Sequence, residues 1–213
     1  REPLVTVIIR THNSAATIRK AISSVFLQSF DPKEVEVIAV DDHSEDATLG
    51  ILNSFGARIK VVQSERDGAV ASLNVALENA TGYCLTLLDD DDQLEPECLK
   101  CLWHPFVAAQ FTGRRIFTHG DYVEVFPSEA TGPYVSTKDN IFDTVAGGLM
   151  FRRTDLLEAC GWDEKLLFAE YDLLIRLLAN GFSGVHIPRP LYVYSRKEDS
   201  ITRDRDRVER GLR

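Results

Sequence analysis

The chain has 213 residues, 44% of them hydrophobic and 27% charged, which suits a globular protein with one substantial core or two closely packed halves. Its formal net charge of -9 argues against a nucleic-acid partner, because binding a phosphate backbone needs a basic face. No run approaches the roughly 18 apolar residues that cross a bilayer, and no signal-peptide pattern opens the chain.

Taken in order, residues 4–9 (LVTVII) read as a buried strand, followed by Thr11, His12 and Asn13 and then by apolar positions Ile18, Ile22, Val25 and Phe26 at helical spacing, with Ser14 as the expected helix cap. Residues 35–40 (VEVIAV) form a second strand that ends in Asp41, Asp42, His43 and Ser44, before a short helix in TLGILNSF. A third strand is expected in RIKVVQ, then a break at Gly68 and a helix in AVASLNVALENA that stops at Gly82. Strands alternating with helices at this pitch imply parallel pairing with right-handed crossovers, and the polar strand ends should then meet at one edge of the sheet.

The fourth strand, YCLTLL, ends in four consecutive aspartates, Asp89 to Asp92. Neighbouring unit charges about 6 Å apart repel by roughly 0.7 kcal/mol in water and about 3 kcal/mol at an effective dielectric of 20, so something cationic should sit nearby. A solvated acidic turn ahead of a helix opening at Pro96 is the plain alternative. Hard carboxylates at the carboxyl edge of a sheet suit Mg²⁺ or Mn²⁺, which share substrate phosphates.

Beyond a helix near residues 96–109, RIFTHGDYVEVF reads as one or two longer strands, residues 127–140 as a loop, AGGLMFRR as a strand and TDLLEACG as a short helix. A helix runs from about Glu170 to Asn180 and closes at Gly181; two strand-like pieces, GVHIP and LYVYS, lead to the charged tail RKEDSITRDRDRVERGLR. The four cysteines lack a disulfide-framework spacing, which points to a reducing compartment, and Cys98 with Cys101 reads as a pair of helix thiols rather than zinc ligands. The sequence opens on a strand with no initiating methionine, its one methionine being Met150, and is read as a domain cut from a longer chain.

Together VTVIIRTHN, VIAVDDHSEDAT, the Gly68–Asn74 segment, LTLLDDDDQLEP and CGWDEKLLFAEYDLLIRL resemble the nucleotide-sugar-dependent, inverting glycosyltransferases of family 2. The resemblance implies an α/β chain with the GT-A fold, a Rossmann-like three-layer sandwich with a mostly parallel central sheet. No linker separates two independent domains in the sequence, so a single domain is expected, with a nucleotide half over about 1–110, a sugar and acceptor half over about 111–195, and a charged tail over 196–213. The nucleotide would contact Thr11, His12, Asn13, Asp41, Asp42, Asp89 and Asp90, with His12 packing on the base and Asp42 accepting from a base ring N–H. The four aspartates correspond to the DxD motif, with Asp91 and Asp89 as metal ligands and the register open by one residue. Glu170 stands where the family has its general base, as an aspartate, with Asp172 and Asp163 as alternatives. Arg196 and Lys197 are candidates for the diphosphate, and Gly147 and Gly148 for close approach of sugar or acceptor. Leu73-Asn74 departs from the Arg-Asn pair frequent in the family.

The resemblance implies a glycosyltransferase that uses Mn²⁺ or Mg²⁺ and moves a sugar from a nucleoside diphosphate, UDP above all, to a hydroxyl of a saccharide or lipid-linked acceptor. A cytoplasmic location is expected, with association to the inner face of a membrane left open. Two rivals are carried: a non-catalytic sugar-nucleotide or glycan-binding module, and a nucleotidyltransferase, which RTHNSAAT disfavours because it lacks a glycine-rich phosphate loop.

Overall fold

The computed structural model describes residues 2–126, 131–143, 148–166 and 168–196. Along it run β1 (Val5–Thr11), α1 (Ile18–Phe26), β2 (Val35–Asp41), α2 (Thr48–Asn53), β3 (Lys60–Gln63), α3 (Ala69–Asn79), β4 (Cys84–Asp89), β5 (Gln93–Leu94), α4 (Cys98–Thr112), β6 (Ile116–Val125), β7 (Thr131–Val135), β8 (Leu149–Arg152), α5 (Arg153–Glu158), α6 (Ala169–Ala179) and β9 (Ser183–Ser195).

The nine strands among the described residues join one sheet in the order β3-β2-β1-β4-β8-β6-β9-β5, with β7 on β6. The pairs β1–β2, β1–β4, β2–β3 and β6–β9 are parallel, whereas β4–β8, β6–β8, β6–β7 and β5–β9 are antiparallel. The sheet is therefore mixed and curls into a half-barrel, which corrects the expectation of a mostly parallel sheet in a three-layer sandwich. The reason is local. Parallel return requires a long crossover, as α1 and α3 supply in the first half, but among the described residues only β7 and a single helical turn at Ile141–Asp143 stand between β6 and β8.

Strand alternation sends side chains to two cores, one on each face. Val5, Val7 and Ile9 of β1 pack with Ile18, Ala21, Ile22 and Val25 of α1 and with Leu99, Leu102 and Phe106 of α4. Ile8, with Leu85 and Leu87 of β4, packs with Leu73, Ala76 and Leu77 of α3 and with Leu173, Leu174 and Leu177 of α6. The i, i+3, i+4, i+7 spacing in α1 is what buries one stripe of that helix.

Several local expectations change. Ser14 does not cap α1: Thr17 holds that position, and the Ser14 hydroxyl instead shares a hydrogen bond with that of Thr11. Part of the expected loop is β7, which pairs Tyr122 with Val135. The two expected last strands are one, β9; its register against β6 shifts around Asp121, and the irregularity accommodates Pro188 and Pro190, which cannot donate to a ladder. Gly82 does not end α3, which stops at Asn79; a Cβ there would lie 2.6 Å from the Thr6 nitrogen, so only glycine lets this turn lie against β1. Gly147 lies outside the described residues, and Gly148 immediately precedes β8. No described helix is long and apolar enough to cross a membrane.

Candidate active site

Parallel register brings the polar strand ends together: Thr11 is opposite Asp41, Arg10 opposite Asp89, and Asp41 opposite Gln63. Asp89 closes β4, and Asp90 and Asp91 form the turn after it, all three half-buried; Asp92 is 1% exposed. The cation that the charge run calls for is Arg10, whose Nε donates to Asp89 Oδ1 at 3.2 Å. Asp89 raises the Arg10 pKa above its already high ordinary value, against the cost of burial, and Glu170 and Asp90 add to the effect. Asp90 Oδ2 accepts from the His12 backbone N–H at 3.2 Å, and burial pushes the Asp90 carboxyl up.

One strand over, the residues after β1 and β2 brace each other. The His12 ring donates through Nδ1 to the Asp42 carbonyl, which leaves Nε2 to accept from Asn13 Nδ2 at 3.0 Å. Asn13, at φ 51°, accepts at Oδ1 from Glu45 N–H at 2.8 Å and Asp46 N–H at 3.3 Å, and its own N–H reaches Ser44 Oγ at 2.9 Å. Asparagine tolerates this left-handed conformation because its short amide bonds locally. Asp42 N–H donates to the Thr11 carbonyl at 2.8 Å, and Asp42 Oδ1 accepts from His43 at 3.2 Å and from Gly68 N–H at 3.4 Å. Asp41 is 1% exposed; Oδ2 accepts from Ser44 N–H at 3.3 Å, while Oδ1 is buried without a hydrogen-bond partner.

The acidic residues around α6 separate. Glu170, in its first turn, shares the electrostatic field of Arg10 and Asp89; burial raises its pKa, Arg10 lowers it and Asp89 raises it. Asp172 instead pairs with Arg176, Nε to Oδ2 at 2.7 Å. Asp172, Asp163 and Arg176 line a different depression of about 680 Å³, whose lining includes none of Arg10, Asp89 to Asp92 or Glu170. Arg196 is taken up by Glu124, Nε to Oε1 at 3.0 Å, and its guanidinium carbon lies 4.9 Å from the Tyr194 ring centre. Lys197 lies outside the described residues.

Three contributors were not singled out from the sequence. Arg10 carries the one charge in VTVIIRT, a legible signal once the aspartates ask for a cation. Tyr192 joins the aspartate turn through its hydroxyl, which accepts from Asp89 N–H at 3.2 Å and donates to Asp92 Oδ2 at 2.8 Å, and nothing local marks that contact. Asn74, noted as half of an absent pair, clasps Trp162 through both its backbone groups at 2.9 and 3.0 Å.

No group of three or more His, Cys, Asp or Glu among the described residues is placed to hold a metal by itself. The carboxylates at the β4 edge are the donor type that a hard divalent cation takes together with substrate oxygens.

The sequence model described as Glycosyl transferase family 2 matches residues 6–158. Putative glycosyltransferase EpsE of Bacillus subtilis is 28% identical over 224 residues, covering 94% of this chain and 76% of EpsE. The uncharacterized glycosyltransferase RP339 of Rickettsia prowazekii is 36% identical over 98 residues, covering 46% of this chain; the chain spans only 30% of RP339. In the solved structures, Staphylococcus aureus TarS 1-349 in complex with UDP-GlcNAc superposes with a TM-score of 0.73 at 23% identity, over 92% of this chain and 59% of that one. The mannosyltransferase PcManGT of Pyrobaculum calidifontis, in complex with GDP-Man and Mn²⁺, superposes with a TM-score of 0.76 at 18% identity, over 100% of this chain and 62% of that one. At such identities these structures establish a shared fold.

Proposed function

The chain belongs to glycosyl transferase family 2, and on that premise we propose that it is an inverting, metal-dependent transferase that moves a sugar from a nucleoside diphosphate, most simply UDP, to a hydroxyl of a saccharide or lipid-linked acceptor. One observation carries the reading: Asp89 at the end of β4 is hydrogen-bonded to the Arg10 guanidinium, and Glu170 at the start of α6 is in electrostatic reach of both. A donor-binding carboxylate and an acceptor-side base have to be neighbours for direct displacement.

In this reading residues up to about 110 bind the donor and residues from about 111 to 195 the acceptor. The His12 ring, held in one tautomer, packs on the base. Asp42 accepts from the base ring N–H, which favours uracil over cytosine, and the unpartnered Oδ1 of Asp41 offers a second buried acceptor. Thr11, Asn13 and Asp90 support the nucleoside. Asp91 and Asp89 would hold Mn²⁺ or Mg²⁺, which supplies positive charge to the diphosphate as the glycosidic bond breaks. Glu170 takes the proton of the acceptor hydroxyl as its oxygen bonds to the anomeric carbon, the bond to the diphosphate oxygen breaks with inversion, and the nucleoside diphosphate leaves. Of the acidic alternatives, Asp172 and Asp163 belong to the second depression and are not assigned the base role. A cytoplasmic location, where sugar nucleotides are available, goes with this reading.

The test is UDP release from a panel of UDP- and GDP-sugars with Mn²⁺, together with calorimetry of UDP with and without the metal. Metal-dependent UDP binding that is lost in Asp91→Ala is expected. Affinity that ignores both the metal and that substitution would remove the metal from the proposal.

A further inference from the structure

Asp92 differs from the three aspartates before it. Its side chain is 1% exposed and both oxygens are engaged: Oδ2 accepts from the Tyr192 hydroxyl at 2.8 Å, and Oδ1 from the Ser195 backbone N–H at 2.7 Å. The same Tyr192 hydroxyl accepts from Asp89 N–H at 3.2 Å, so one buried oxygen ties the first residue of the run to the last. The turn also closes on itself, Asp92 N–H to the Asp89 carbonyl at 3.2 Å.

The segment on the far side of the turn is fastened as firmly. Gln93 and Leu94 pair with Val193 and Tyr192 on β9, Leu94 N–H donates to Ser24 Oγ at 3.1 Å, and Gln28 Nε2 donates to the Glu95 carbonyl at 2.8 Å. The backbone that carries Asp90 and Asp91 is thus held at its far end by α1 and β9, and at its near end by the Tyr192 hydroxyl.

We propose that Asp92 and Tyr192 are positioning residues, a latch that ties the aspartate turn to β9 and holds Asp89, Asp90 and Asp91 in the arrangement that receives the donor. The inference rests on the reading of this turn as the donor site. Within this proposal the register follows: Asp92 is enclosed and each of its oxygens is engaged by a protein donor, so the residues assigned to ligand are the first three.

Tyr192→Phe keeps the buried ring and removes only the hydroxyl, and Asp92→Asn keeps the shape. Amide hydrogen exchange would be followed at residues 89–94, and UDP affinity by calorimetry with and without Mn²⁺. In Tyr192→Phe, exchange in the turn should accelerate about tenfold or more while β1 to β3 stay unchanged. Mn²⁺-dependent UDP affinity should fall about tenfold, with KM for the donor changing more than kcat. Asp92→Asn should match it, and the double variant should be no worse than either, because the two residues act as one unit. Unchanged exchange in Tyr192→Phe, with affinity within about twofold of the parent, would overturn the latch. So would loss of the Mn²⁺ response in Asp92→Asn alone, which would make Asp92 a ligand. If the parent protein binds no UDP under either condition while Tyr192→Phe still loosens the turn, the transferase reading falls and the latch stands as a device of the fold. If Asp92→Asn does not fold, Tyr192→Phe alone decides.

Discussion

In the parallel part of the sheet, β3-β2-β1-β4, the carboxylates stand at strand ends: Asp41 keeps a buried oxygen without a partner, Asp89 is half-buried against Arg10, and Asp90 and Asp91 follow it half-buried in the turn. In the mixed part, Asp121 of β6 is 0% exposed and saturated, taking hydrogen bonds from His186 at 2.7 Å, from Thr137 N–H at 2.8 Å and from the Tyr134 hydroxyl. The same residue type does two jobs, and the number of satisfied oxygens separates them. A carboxylate that is fully enclosed with both oxygens engaged holds strands together; one at an edge that still faces solvent can bind something. By this measure Asp92 belongs with Asp121, although in sequence it is the fourth member of the acidic run.

The sharpest way to break that contrast is at Glu170. Glu170→Gln should lower kcat by about 10³-fold with little change in thermal stability, because a positioned base contributes 10² to 10⁴. Burial raises the Glu170 pKa, so activity in the parent should be present at high pH and fall as the pH drops through a value above the ordinary glutamate range. The amide variant should lose that acid limb. A Glu170→Gln protein with parental rates would move the base elsewhere and favour a plain binding module.

Asp121→Ala should do the reverse. It strands His186, the Thr137 N–H and the Tyr134 hydroxyl, and should cost about 3 kcal/mol in urea unfolding. UDP affinity of the folded protein should stay within about threefold of the parent, since no donor contact is assigned to β6. A large loss of affinity at unchanged stability would erase the distinction between the two parts of the sheet.

A smaller effect comes from His119, which shares a hydrogen bond of 2.8 Å with Thr137 Oγ1. Burial, helped by neighbouring His186 and opposed by Asp121, lowers its pKa from 6.5 to about 4. The unfolded chain therefore takes up a proton near pH 6.5 that the folded chain refuses until about pH 4. This contribution to stability is complete above about pH 6.5 and is lost as the pH falls, on the order of 2 kcal/mol by pH 4.5. The difference in unfolding free energy between the parent and His119→Gln, measured from about pH 7 to 4.5, should show that slope.

The features legible in the chain were those that repeat over a few residues. The strands of the parallel part, their polar ends and the helices α1, α3, α4 and α6 follow from spacing, because a packed helix leaves its own periodicity. The mixed part was legible in β8, expected in AGGLMFRR, and otherwise resisted for physical reasons: β5 has two residues, too short for a pattern, and β9 hides its continuity behind Pro188 and Pro190. Site residues divided in the same way. The acidic ends were visible because their charges repel, whereas Tyr192 lies 103 positions from Asp89 and looks in sequence like any apolar strand residue.

Asp172 gives the smallest expected effect and the finest test. On a helix it is two residues from Glu170, and the sequence keeps it as an alternative to Glu170 for the base. The structure puts them in different company: Glu170 with Arg10 and Asp89, Asp172 with Arg176 in an i, i+4 pair whose side chains are 31% and 32% exposed. Arg176 also donates to the Ala159 carbonyl and, at 2.8 Å, to that of Gly161, so it stays anchored when Asp172 loses its charge. Exposed pairs of this kind contribute about 0.2 to 1 kcal/mol. Asp172→Asn should therefore lower stability by less than about 1 kcal/mol and leave kcat within about twofold. Loss of activity comparable to that of Glu170→Gln would mean that the chemistry faces the depression lined by Asp163 and Asp172 rather than the aspartate turn.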